Sequence, residues 1–355
     1  MFTLMPLNIN YSFNFGIALL LILIVQIISG ILLVFFYQNS SDMVFFSMNY
    51  IYNDIFFGNV LRNSHCVGAN LFFFFAFLHI FKTYFYSNFK NIYILFSGVL
   101  MFLVLCGIGF LGYVLPWGQM SLWGATVITN LASVLPYSDV FLFYIWGDFA
   151  VSNVTMLRFF SLHFFLPFIL LGLVFFHFQI LHFFGSSVSS FSLYFLDFIP
   201  MFPFFVFVDV FIVFFIIFFF ILFSFFFPFF FFEHDNFIIA NSLVTPTHIK
   251  PEWYFLFPYA VLRIFTSKVL GVIMLVVSIF SFFFLSILKL NIKYMINFND
   301  FFISFFIFFF IILTFCGGSL VAFPFTEISI YITILFFFLI FLYYIYYFIL
   351  NFFFF

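Results

Sequence analysis

Charge is what this sequence has least of. Only 6% of its 355 residues are charged, 9 Lys and Arg against 11 Asp and Glu, for a formal net charge of −2. Soluble domains carry roughly 25% charged residues, so a water-facing globular surface is excluded. No block of like charge occurs, and neither a nucleic-acid partner nor a polybasic lipid contact is expected. Cysteine is scarce as well. Cys66, Cys106 and Cys316 are odd in number, widely spaced and set in apolar surroundings, which favours packing over redox work. The first ten residues, MFTLMPLNIN, lack a basic stretch and a small-residue cleavage site, so no removable signal is expected.

Apolar residues fill the chain instead, at 68% with a mean hydropathy of +1.36, and the solvent they imply is membrane lipid. Phenylalanine alone accounts for 82 residues. Phe, Leu and Ile are near-equivalent on insertion scales, so this excess carries hydrophobicity rather than chemistry, as drift in an AT-rich organelle genome would produce.

A spanning helix needs about 20 apolar residues, which makes the polar breaks the useful markers. They predict an all-α membrane protein with eight transmembrane helices: A at about 14–36, B at about 58–86, C at about 93–115, D at about 158–184, E at about 203–232, F at about 269–290, G at about 299–318 and H at about 327–350. Helices A–D form one expected unit, a four-helix bundle over 1–201, and helices E–H the other, over 202–355. Two long polar breaks, 116–157 and 233–268, interrupt the pattern; in so apolar a chain they are expected to be functional loops. Counting crossings puts both on one face, called outer here. Lys82, Lys90, Lys289 and Lys293 in the short opposite turns mark the other face as inner by the positive-inside rule, although Arg263 and Lys268 weaken the bias.

The histidines repeat. His65 and His79 lie in helix B, His163 and His177 in helix D, and both gaps are 14 residues. Fourteen residues rise about 21 Å and complete nearly four turns, so each helix carries two imidazoles on one face at two depths. B and D run parallel, which pairs His65 with His163 at the outer level and His79 with His177 at the inner level. A single such histidine is as readily a packed core residue, but intramembrane ionisable groups are functional candidates, and the repeated gap favours two bis-histidine haems. No CxxCH string exists for covalent attachment, and two pairs about 21 Å apart do not close a four-ligand zinc or copper cage. Gly16 and Gly30 in helix A, and Gly98 and Gly112 in helix C, share the 14-residue period and would give a flat macrocycle bare backbone to lie against. Arg62, Lys82 and Arg158 lie close to the histidines in sequence and are candidates for holding propionates, with interfacial snorkelling as the alternative.

With NFG at 14–16, GYVLPWGQMSLWGATVITN at 112–130, the four histidines, and HIKPEWYFLF at 248–257, nearly the whole chain resembles the cytochrome b family of respiratory cytochrome bc complexes. Photosynthetic relatives have one more residue between the helix D ligands and are split into two chains; this chain is neither. The resemblance implies two non-covalent haem b groups and a catalytic subunit of quinol–cytochrome c reductase (complex III) in the mitochondrial inner membrane. It also implies a Q cycle in which ubiquinol is oxidised at an outer site and quinone reduced at an inner one. Implied partners are a Rieske iron–sulfur protein, a membrane-anchored c-type cytochrome, accessory complex III subunits, a second copy of the complex and membrane lipid. Gly124, Glu252 and Tyr254 fall on the outer side, and His182 and Asp209 beside the inner haem. Glu252 is the only carboxylate of its segment and the expected proton acceptor; the alternative is a loop carboxylate paired with Lys250 or Arg263.

The chain departs from the family at Val208, where a lysine is usual, at Phe202, where a histidine is usual, and at Ser319-Leu320-Val321 after Gly317-Gly318. The first two touch proton delivery at the inner site. Cys66 stands where a small alanine is usual. Two rivals are a haem-bearing membrane anchor of another quinone-linked dehydrogenase, which lacks the Pro-Glu-Trp-Tyr string, and a non-haem proton-coupled transporter, for which broken helices and internal repeats are missing.

Overall fold

A computed structural model describes residues 4–6, 10–85, 92–184, 198–287 and 296–354. Apolar sequence in lipid must satisfy every backbone N–H and C=O internally, and helices do so within one segment. The eight expected spans are present as α1 (Phe15–Val34), α3 (Gly58–Phe85), α4 (Ile92–Val114), α7 (Asn153–Phe184), α8 (Phe204–Ile221), α10 (Lys268–Ile287), α11 (Ile296–Gly318) and α12 (Phe325–Phe354). Seven are long and apolar enough to cross a membrane, and the described part of α10, Lys268–Phe283, is a shorter apolar helix. Lys90, Lys289 and Lys293, three of the four lysines behind the expected inner face, lie outside the described residues.

Two boundaries differ from expectation for local reasons. α7 begins five residues early because Ser152 and Thr155 cap it, with Ser152 N–H donating to Thr155 Oγ1 at 3.0 Å and Val154 N–H to Ser152 Oγ at 3.3 Å. α8 ends at Ile221 and loosens into a π turn, Leu222–Phe226, shortly before Pro228, which cannot continue a helix. The long breaks are themselves partly helical: α2 (Val44–Asn53) lies between the first two spans, α5 (Gln119–Thr129) and α6 (Ser138–Trp146) in the C–D segment, and α9 (Leu256–Ile264) after the Pro-Glu-Trp-Tyr string.

α1 packs chiefly on α3, and α4 on α7. α9 lies against α10 and α11 and is tied to the bundle by a phenylalanine core in which Phe77, Phe257, Phe282 and Phe310 meet at ring distances of 5.0–6.1 Å. A short antiparallel pair, β1 (Leu4–Pro6) with β2 (Phe198–Pro200), joins the N-terminal segment to the residues before α8. Apolar periodicity carries no signal for so short a ladder.

The outer loops are zipped together. Gln119 N–H donates to Ile238 O at 2.9 Å and Ala240 N–H to Trp117 O at 3.2 Å, while Ser121 N–H donates to Asn236 Oδ1 at 3.0 Å. A Cβ on Gly118 would stand 2.3 Å from Asn236 O, so only glycine permits this approach. The C–D and E–F segments therefore share one face, as counting crossings predicts.

Candidate functional site

The helix pairing brings glycines and histidines together. A Cβ on Gly30 would sit 3.3 Å from His65 Cε1 and one on Gly16 3.7 Å from His79 Cε1, both across the α1–α3 contact. Across α4–α7, one on Gly112 would sit 2.5 Å from His163 Cε1 and one on Gly98 3.7 Å from His177 Cε1. Each of the four glycines thus faces the imidazole at its own depth. His65 and His163 face each other with ring centroids 6.3 Å apart at 81°. That spacing accommodates one metal ion, given two metal–nitrogen bonds of about 2 Å and about 1 Å from each nitrogen to its ring centre.

Hydrogen bonds set which nitrogen is free. Ser29 Oγ lies 2.8 Å from His65 Nδ1 and Ser97 Oγ 2.7 Å from His177 Nδ1. Each hydroxyl also reaches a carbonyl of its own helix, Ser29 to Gln26 O at 3.2 Å and Ser97 to Ile94 O at 2.9 Å, and with its hydrogen given there each oxygen would accept from Nδ1–H. His163 Nδ1 donates to Ile108 O at 3.0 Å. His163 therefore carries its proton on Nδ1, and the same tautomer at His65 and His177 would leave three Nε2 lone pairs for a metal. His79 Nδ1 is buried with no partner among the described residues. Glycine cradles, paired neutral imidazoles and committed Nδ1 atoms fit a bis-histidine haem.

The outer pair opens into a cavity of about 240 Å³ lined by His65, His163, Arg62, Tyr113, Glu233, Glu252 and Tyr254. Tyr254 is buried and stacks on Phe73, ring centroids 3.7 Å apart at 6°. The neighbouring Trp253 donates Nε1–H to Asn70 Oδ1 at 2.8 Å, which pins the Pro-Glu-Trp-Tyr turn to the histidine helix α3. Glu252 is paired with neither expected cation. Lys250 instead meets Glu233 at 2.7 Å, and Arg263 donates to Ser319 O at 3.0 Å and Cys316 O at 2.6 Å. Burial raises the Glu252 carboxyl to about 8; the Glu233 charge pushes the same way and Lys250 opposes it.

Other candidates scatter. Arg62 lines the cavity within an aromatic cage, 5.0 Å from the Phe232 ring centroid and 5.6 Å from that of Tyr52. Lys82 lies over Phe13 at 3.5 Å. Arg158 is turned away from the cavity, donating to Tyr144 O and packing on Gly147, because the early start of α7 places it beside α6. Gly124 faces open space in α5 and is not on the cavity wall. At the other end, Asp209 accepts from Asn14 Nδ2, while the exposed His182 lies on Phe178 of its own helix at 3.9 Å; each has a different partner. Cys66 also lines the cavity. Sequence reasoning passed over Glu233, Tyr113 and the two serines. The serines left a signal: each immediately precedes a histidine-facing glycine.

The chain matches the family described as Cytochrome b/b6/petB over residues 2–185 and the one described as Cytochrome b(C-terminal)/b6/petD over residues 239–337. It is 42% identical over 336 residues to the cytochrome b of Apis mellifera ligustica, covering 92% of this chain and 86% of that one. A solved structure of a hyperthermophilic respiratory complex III contains a chain that superposes with a TM-score of 0.91 at 28% identity, covering 98% of this chain and 93% of the other.

Proposed function

The chain belongs to the cytochrome b family and is the cytochrome b of a respiratory complex III, and from that premise we propose that it forms the outer quinol-oxidising and inner quinone-reducing sites of quinol–cytochrome c reductase. His65 with His163, and His79 with His177, would each hold one haem b, against Gly30 and Gly112 at the outer level and Gly16 and Gly98 at the inner. When bound, the haems supply a one-electron path across the bilayer. Arg62 and Lys82 would neutralise propionates, with Arg158 the weaker candidate. We assign the haem-holding role to 1–201 and most of the quinone chemistry to 202–355.

The chain's own residues carry the rest. Ubiquinol leaves as quinone by losing two electrons and two protons. Glu252, in the cavity and without a paired cation, is the group that takes a proton. Tyr254, held flat on Phe73, orients the ring, and Gly124, off the cavity wall, would leave room for substrate in the C–D segment. Asp209 and His182 would return protons at the inner end. One electron would enter the path that the outer haem supplies when bound, and a Rieske iron–sulfur protein is the acceptor for the other electron and the second proton; a membrane-anchored c-type cytochrome, accessory subunits and a second copy of the complex complete the assembly in the mitochondrial inner membrane.

A single observation carries most of this: Glu252 lines the same cavity as the His65/His163 pair, so a proton acceptor lies next to where this pair would hold the haem that takes the electron. Pre-steady-state reduction through each site, separated by site-selective inhibitors, tests it. Glu252→Gln is expected to slow outer-site quinol oxidation by at least about tenfold, with inner-site reduction near normal; equal rates at the outer site would make Glu252 a structural loop residue.

A further inference from the structure

Three glycines of α1 and α4 share more than a period. One turn before each stands the carbonyl its histidine region uses: Gln26 before Gly30, Ile94 before Gly98 and Ile108 before Gly112. Immediately before Gly30 and Gly98 stand Ser29 and Ser97, 6% and 3% exposed, each with its Oγ at hydrogen-bond distance from the Nδ1 of the imidazole that its glycine faces. At Gly112 the preceding residue is Leu111, and His163 donates directly to the carbonyl. The fourth position breaks the pattern. Gly16 is preceded by Phe15, where the α-helix starts, and one turn back lies Ser12, inside the 3-10 turn Tyr11–Asn14. Backbone there does not follow the α ladder that aims Ile108 O at its histidine, and His79 Nδ1 is left without a partner among the described residues.

A hydrogen bond from the remote N–H makes a ligating imidazole a stronger electron donor. Stronger donation stabilises the oxidised, more highly charged iron and lowers its potential. Among the described residues the outer pair has both Nδ1 atoms partnered, by Ser29 and by Ile108 O; the inner pair has one, partnered by Ser97 and the Ile94 carbonyl. We propose that Ser29 and Ser97 are positioning residues that fix the tautomer and donor strength of His65 and His177, and that the unheld His79 leaves the inner pair the weaker donor.

This rests on the haem assignment of the four histidines, and the test separates the two. The purified complex carrying the full chain is titrated redox-potentiometrically, following b-type absorbance. Ser97→Ala is expected to shift one component about threefold toward the reduced form, about 28 mV at 59 mV per tenfold for one electron, and Ser29→Ala to shift the other component in the same direction. Threonine at either position, which keeps the hydroxyl, restores the wild-type value. Phe15→Ser offers His79 a hydroxyl at the register used by Ser29 and Ser97, and should move the Ser97-sensitive component toward the oxidised form. Loss of one haem in an alanine variant with its retention in the threonine variant also supports the role, since threonine keeps the hydroxyl that alanine lacks. Unshifted potentials in the alanine variants, or a shift in Ser97→Ala that threonine fails to reverse, overturn the proposal. A wild-type complex without two b-type components overturns the haem assignment instead.

Discussion

Glu252 shows how one residue's chemistry is made by its surroundings. A carboxyl raised to about 8 is mostly protonated at neutral pH, and only its ionised form can accept a proton. The ionised fraction grows as pH rises through about 8, so outer-site quinol oxidation should climb between about pH 6 and 9 if this acceptance limits the rate. In Glu252→Gln that rising limb should disappear together with at least about tenfold of the rate; a profile of unchanged shape would assign the limb to another group. Gly112 shows the steric counterpart. A Cβ there meets His163 Cε1 at 2.5 Å, whereas Gly16 and Gly98 leave 3.7 Å. Gly112→Ala should therefore displace the His163 ring and weaken haem retention at the outer level by at least about tenfold, while Gly98→Ala is milder. Haem titration of the two variants compares them directly.

Among the elements, the E–F segment does the most with the least helix. It is anchored to α5 by backbone and side-chain hydrogen bonds around Asn236 and Gln119, and to α3 through Trp253 and Asn70. Within it the Glu233–Lys250 pair stands part-exposed, with Glu233 also reaching the cavity wall. Its two members act on Glu252 with opposite sign. Glu233→Gln removes a cause that raises the Glu252 carboxyl, so the pH limb should move to lower pH. Lys250→Met removes a cause that lowers it and leaves Glu233 unopposed, so the limb should move higher. Outer-site rates measured across pH 5–9 in both variants check the pair; shifts of the same sign would rule out electrostatic control.

At the scale of the molecule, the bundle has two levels of like construction, which in the proposed reading would hold two haems that share helices but no ligands. Each level draws one histidine from α3 and one from α7, and one glycine from α1 and one from α4. Two protohaems per chain, extractable by acid acetone, are expected from pyridine haemochrome assay. His177→Leu should remove only the inner one, leaving the outer haem reducible by quinol. Loss of both from protein that is still inserted and folded would show the sites to be cooperative.

The 14-residue gaps by themselves determined the depth and facing of the histidines, because α-helical rise and twist convert spacing along one chain segment into position without reference to any neighbour. The apolar runs likewise determined the spans, since lipid leaves a backbone little choice but the helix, and crossing parity put both polar breaks on one face. Only the tertiary structure decided that Gly30 faces His65 and Gly112 faces His163, that Lys250 closes on Glu233 rather than Glu252, and that Arg158 turns to Tyr144 instead of the cavity. Those contacts join segments separated by many residues, where the partner depends on packing. With 82 phenylalanines spread along the chain, apolar pattern alone does not distinguish one packed face from another. Hydrogen bonds and bare glycine surfaces do distinguish them, but they form only after the helices have docked.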